Sequence, residues 1–139
     1  MAALKAVLDT NVVVSAHLKA EGREAFILEL ALAEKLKLCV SEALLEEYEG
    51  VLRRPRFALS SQKVAQSLKA IRKVAFLVRP QKRLQVTRDP DDSKVLECAL
   101  EAGANYVVTG NVRHFPARFK GIAVIPPRHF LAILAAQLE

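Results

Sequence analysis

The feature that most limits how this chain can fold is its opening stretch, Ala6-Val7-Leu8-Asp9-Thr10-Asn11-Val12-Val13-Val14-Ser15-Ala16. A short unbroken apolar run reads as a strand buried on both faces, which points to a parallel sheet covered by helices. The run ends in an acid, and a second apolar-periodic segment begins at once. In an open α/β sheet, ligands bind in the crevice beyond the carboxyl ends of the strands. Asp9 stands at the rim of that crevice, with Asn11 two residues on. Asp-Thr-Asn is also rich in helix N-cap types, so this stretch alone leaves Asp9 as either a cap or a site acid.

The rest of the chain repeats the alternation. Apolar runs predict strands over about 5–9, 36–40, 76–78, 106–109 and 121–125. Between them, helical periodicity and caps predict helices over about 11–19, 23–35, 42–53 and 62–75, one from the Asp89 cap to Gly103, and a last one over about 128–138. Helices alternating with short apolar strands make a three-layer α/β/α sandwich with a mostly parallel central sheet. The 139 residues suit a single domain over the whole chain. No apolar stretch approaches the roughly 20 residues of a membrane span. Met1 leads straight into a strand without the regions of a secretory signal, so the expected location is the cytoplasm. Cys39 and Cys98 have no metal-ligand spacing and sit in apolar surroundings, which makes them core residues. The net charge of +6, from 21 Lys and Arg against 15 Asp and Glu, suits a polyanionic partner such as nucleic acid.

Four places could deliver polar groups to one end of the sheet. Asp9 and Asn11 follow the first strand, and Thr109 and Asn111 follow the strand at 106–109. In the helix over 42–53, Glu47 borders the apolar face set by Leu44, Tyr48, Val51 and Leu52, whereas Glu46 points to solvent. Asp92 shares the inward face of its helix with Val95, Leu96 and Ala99, although an acid at the third helical position can also bond back to the cap. Asp89 and Asp91 read as cap and surface charge. Clustered carboxylates repel unless they are protonated or hold cations. Oxygen ligands without His or Cys point to Mg²⁺ or Mn²⁺, and such ions activate water and stabilise a leaving oxygen in phosphodiester hydrolysis. Arg53, Arg54, Arg56, Arg113, Arg118 and Lys120 could hold phosphates, with Arg113 the best placed because it follows the Thr109-Gly110-Asn111 corner. His17, His114 and His129 share no spacing and read as packing or surface.

The segments VLDTNVVVSA, SEALLEEYEGVLRRPRF, DPDDSKVLECALEAGANYVVTGN and IPPRHFLAIL together resemble the PIN-domain ribonucleases, a family that includes the toxins of many bacterial toxin-antitoxin pairs. The resemblance spans essentially the whole chain in family order. It implies a Mg²⁺- or Mn²⁺-dependent endoribonuclease acting on single-stranded or structured RNA. Asp9 and Asp92 would be metal ligands, and Glu47 a third ligand or the group that orients the attacking water. Asn11, Thr109 and Asn111 would support them, and the three acids would converge on one ion. Many members carry Asp where this chain has Asn111, which leaves one ion expected and a second in question. The resemblance also implies RNA and a small antitoxin as partners, the antitoxin covering the acidic crevice, with a homodimer in which the 130–138 helix is either interface or core. Two other readings stand beside it. One is an RNA-binding module weakened as a catalyst by Asn111. The other is an α/β phosphotransfer enzyme, against which stand Asn11 in place of a second Asp, no Lys after 106–109 and no phosphate-binding glycine motif.

Overall fold

The computed structural model describes residues 3–138. Its strands are β1 (Lys5–Leu8), β2 (Lys37–Ser41), β3 (Phe76–Val78), β4 (Tyr106–Val108), β5 (Arg118–Phe119) and β6 (Ile122–Ile125). Its helices are α1 (Thr10–Leu18), α2 (Arg23–Leu32), α3 (Glu42–Leu52), α4 (Ser61–Val74), α5 (Pro90–Ala102) and α6 (Pro127–Leu138), with short 3-10 turns at Pro55–Phe57 and Val112–His114. The six strands form one sheet in the order β3-β2-β1-β4-β6-β5. Every pairing is parallel except that of β5 with β6.

The unbroken apolar strands require cover on both sides, because successive side chains point to opposite faces. Val7, Leu8, Leu38, Val40, Val107 and Val108 are all buried. The chain steps from β1 to β2 to β3 in one direction and then back across to β4. Right-handed crossovers therefore put α5 on the opposite face from the earlier helices. Helix α5 packs across β1, β2, β3 and β4, while α2 touches α1, α4 and α6 in the other layer. The result is the expected three-layer sandwich. Phe130 and Leu134 of α6 are buried, so that helix spends its apolar face on the core. No helix among the described residues is long and apolar enough to cross a membrane.

Local signals explain most boundaries. Ser41 Oγ accepts from Leu44 N at 3.2 Å and Ser60 Oγ from Lys63 N at 3.1 Å. Pro127 is the first residue of α6, where its missing N–H costs nothing. Gly103 closes α5 with φ +65°, a left-handed cap that glycine adopts without strain. Cys39 and Cys98 are buried free thiols, and burial pushes their pKa up to about 11 and about 12.

Two expectations are corrected. Helix α2 ends at Leu32 rather than near 35, because Glu34 takes φ +60° and Lys35 N bonds back to Leu30 O at 2.9 Å. This is a left-handed helix stop without glycine. Strand β5 was not expected. Lys120 and Gly121, at φ +49° and +85°, form the two-residue turn that suits a twisted hairpin and fold 118–119 against β6.

Candidate functional site

Strands β1 and β4 are neighbours in mid-sheet, with Leu8 in register with Val108. The chain leaves β1 towards β2 and leaves β4 towards β6, in opposite directions. This is the switch point at which an open α/β sheet forms its crevice. Asp9 and Thr109 are the residues just past the two strand ends, and the register places them side by side. Asp9 N donates to Val108 O at 2.9 Å, and Thr109 Oγ1 donates to Asp9 Oδ2 at 2.7 Å. Asn11 Nδ2 donates to the same carboxylate oxygen at 3.2 Å, and the other oxygen accepts from Thr10 N at 2.8 Å. Asp9 thus caps α1 and faces the crevice at once. Thr109 Oγ1 also accepts from Asn111 N at 2.9 Å, and Asn11 Oδ1 from Gly110 N at 3.1 Å. Burial raises the Asp9 pKa, against the opposing pull of the Thr109 hydroxyl and the Thr10 amide.

Asp92 lies in the first turn of α5 and its side chain is 15% exposed. The cap bond of Asp89 goes to Asp91 N at 2.9 Å, and no hydrogen bond to the Asp92 carboxylate occurs among the described residues. The His114 imidazole faces it, with Nδ1 3.6 Å from Oδ2. Burial first, then the charges of Asp9 and Asp89, push the Asp92 pKa up to about 6.

Helix α3 buries Leu44, Tyr48 and Leu52 and leaves Glu46 in solvent, with Glu47 at the edge. The Tyr48 hydroxyl donates to Leu8 O at 2.5 Å and ties α3 to the end of β1. Glu47 Oε2 accepts a short hydrogen bond from the Thr10 hydroxyl, whereas Oε1 is buried with no hydrogen-bond partner. Lys94 Nζ stands 3.6 Å from Oε1 and donates to Asp91 Oδ1 at 2.9 Å. Burial raises the Glu47 pKa, the Thr10 hydroxyl opposes this, and Asp91 adds to it. Asp91 moves the other way, held below the usual carboxylate range chiefly by Lys94.

Asp9, Glu47 and Asp92 line one cleft of about 560 Å³ together with Asn11 and Asn111. Val14, Leu18, Val51 and Phe57 give the cleft an apolar part of its lining, and Arg54, Arg56 and His114 also border it. The Arg56 guanidinium lies over the Phe57 ring, 4.8 Å from its centroid. Arg113 lines an adjoining hollow that shares Asp89, Asp92 and His114 with the cleft.

The structure corrects two expectations about this set. Among the described residues, no three acid, His or Cys side chains are gathered closely enough to hold an ion as they stand. Glu47 shares the cleft with Asp9 and Asp92 but is engaged by Thr10 and Lys94 instead of converging with them. Arg53 is not among the residues lining the cleft and is bonded to Glu49 at 2.9 Å and to the Ser61 hydroxyl at 2.8 Å. Sequence reasoning missed Thr10 and Lys94 and set Asp91 and His114 aside. The position of Thr10 between two site residues, and of Lys94 one turn after Asp91, were the only available signals.

A model of the PIN domain family matches residues 5–113. An uncharacterized protein of Methanocaldococcus jannaschii is 30% identical over 111 residues, which cover 78% of this chain and 71% of that protein. Among solved structures, PAE2754 from Pyrobaculum aerophilum is similar with a TM-score of 0.65 and 18% identity, over 96% of this chain and 91% of that one. VapBC2 from Rickettsia felis, solved bound to a DNA fragment from their promoter, is similar with a TM-score of 0.57 and 15% identity, over 88% and 98% of the two chains.

Proposed function

The chain belongs to the PIN domain family, whose members are generally nucleases, and on that premise we propose that it is a divalent-metal-dependent endoribonuclease. The observation that carries this reading is the pairing of Asp9 and Asp92 at the β1/β4 switch point, with both carboxyl groups made harder to ionise. Such a pair costs stability unless a cation relieves it. The donor set fits Mg²⁺ or Mn²⁺: hard carboxylate oxygens from Asp9 and Asp92, the latter without a hydrogen bond among the described residues, and no thiol in the lining. Asp9 and Asp92 would hold the ion. When bound it supplies a water acidified for attack and a positive charge on the phosphate oxygens.

The other residues have separable tasks. Thr109 and Asn11 fix the orientation of Asp9, since groups behind a ligand set its direction and basicity. Glu47 Oε1 is available to accept a proton or a hydrogen bond from the attacking water. Arg54, Arg56 and Arg113 offer positive charge to flanking phosphates, whose contacts set position without reading sequence. The apolar lining with Phe57 suits an unstacked base of single-stranded RNA. A small antitoxin that covers the cleft is the protein partner this reading names, in keeping with the toxin-antitoxin pair among the similar structures.

The test incubates the protein with mixed RNA with and without Mn²⁺, alongside Asp9→Asn, Glu47→Gln and Glu46→Gln. Cleavage should require the metal, disappear in the first variant, fall strongly in the second and persist in the third. Equal loss in all variants, or in none, rejects the reading. The neutral, exposed Asn111 favours one alternative, an RNA-binding module of the same fold. Activity that emerges only in Asn111→Asp would establish it.

A further inference from the structure

We propose that Lys94 is the resident cation of this site. It neutralises the Glu47–Asp91 flank, so that divalent-ion binding is confined to Asp9 and Asp92. The inference rests on the metal-dependent reading above and assigns its stoichiometry.

Five acids line the cleft; Asp89 caps α5 by accepting from Asp91 N, and the other four fall into two pairs with different partners. Glu47 Oε2 accepts from the Thr10 hydroxyl, and the Lys94 ammonium faces Oε1 at 3.6 Å, close enough for charge attraction but too far for a hydrogen bond. Asp91, on the same turn of α5 as Lys94, takes its hydrogen bond at 2.9 Å. The stem of Lys94 borders the hollow shared with Arg83 and Glu97 rather than the cleft, so the ammonium reaches these acids from the flank. Lys94 is about one-third exposed and the Glu47 side chain 13% exposed, which keeps their attraction only partly screened.

Asp9 and Asp92 form the other pair. Among the described residues neither contacts a Lys or Arg, and Asp92 has His114 at 3.6 Å. Two negative charges without a fixed cation match one dication. The Glu47–Asp91 pair is already half neutralised, and a dication entering there would meet the Lys94 charge at close range. Asn111, which borders the cleft next to Thr109, adds no charge that would recruit a second ion. Lys94 is thus a positioning residue: it holds Glu47 in place without touching substrate.

The experiment counts bound Mn²⁺ by the electron paramagnetic resonance signal of the free ion, without RNA, while circular dichroism melting checks folding. Wild type should bind one Mn²⁺, Lys94→Met two, and Lys94→Arg one. Adding Asp91→Asn to Lys94→Met should return the count to one, and Lys94→Gln replaces Lys94→Met if that variant does not fold. An unchanged count in Lys94→Met, or two ions in wild type, overturns the role of Lys94 and leaves metal dependence standing. No Mn²⁺ on any of these proteins overturns both.

Discussion

Replacing Asp92 by Asn should stabilise the metal-free protein at neutral pH. Asn keeps the shape and removes the charge, and among the described residues the carboxylate has no hydrogen bond to lose. In the fold, burial and the charges of Asp9 and Asp89 raise the Asp92 pKa from 3.8 to about 6. A carboxyl group that ionises less readily in the folded state destabilises it wherever the unfolded chain carries that charge. The penalty is absent well below the unfolded pKa, grows as pH rises, and is complete above the folded pKa. At full ionisation this shift corresponds to about 3 kcal/mol. Water reaches the cleft side of the carboxylate and screens part of it, leaving about 1–2 kcal/mol at pH 7.5. Urea unfolding followed by circular dichroism in EDTA measures the difference directly, and at pH 4.0 the advantage of Asp92→Asn should shrink to less than half. Saturating Mn²⁺ at pH 7.5 should reverse the order, since an ion bound only by the folded state stabilises it in proportion to affinity. The reasoning is refuted if the variant is no more stable in EDTA at pH 7.5, or if its advantage is the same at both pH values.

Thr109→Val removes the hydroxyl that donates to Asp9 at 2.7 Å, and Mn²⁺ affinity by calorimetry should fall by about 10- to 100-fold; unchanged affinity would show that Asp9 needs no such support. Tyr48→Phe deletes the buried bond to Leu8 O and should cost about 1–2 kcal/mol in urea unfolding. Arg54→Ala should weaken single-stranded RNA binding to a similar extent for all sequences and lower its salt slope by about one. Arg53→Ala, at a side chain bonded to Glu49 and Ser61, should leave that slope unchanged.

Much of this molecule was legible before any coordinates. Apolar runs such as Ala6–Leu8 and Tyr106–Val108 announce parallel strands, because both faces of each must be covered. Ser41, Ser60, Asp89 and Gly103 mark helix ends through bonds that reach only two to four residues along the chain. Asp9 and Asp92 are legible as candidates from a strand end and an inward helix position, and the family resemblance separates that reading from simple capping. Glu34 and Lys120 were illegible as left-handed residues, since neither is the glycine or asparagine that such a backbone favours.

The electrostatics of the cleft were also out of reach of the sequence. Thr109 meets Asp9 across 100 residues of chain, and Thr10 meets Glu47 across 37. Which acid gains a donor, which gains the Lys94 ammonium and which is left with neither follows from strand order and helix packing. The sequence by itself determined the elements and supplied the acids, because period and capping act over a few neighbouring residues. Only the tertiary structure decided how the acids pair, because Coulomb and hydrogen-bond energies depend on distances that the sheet sets between remote segments.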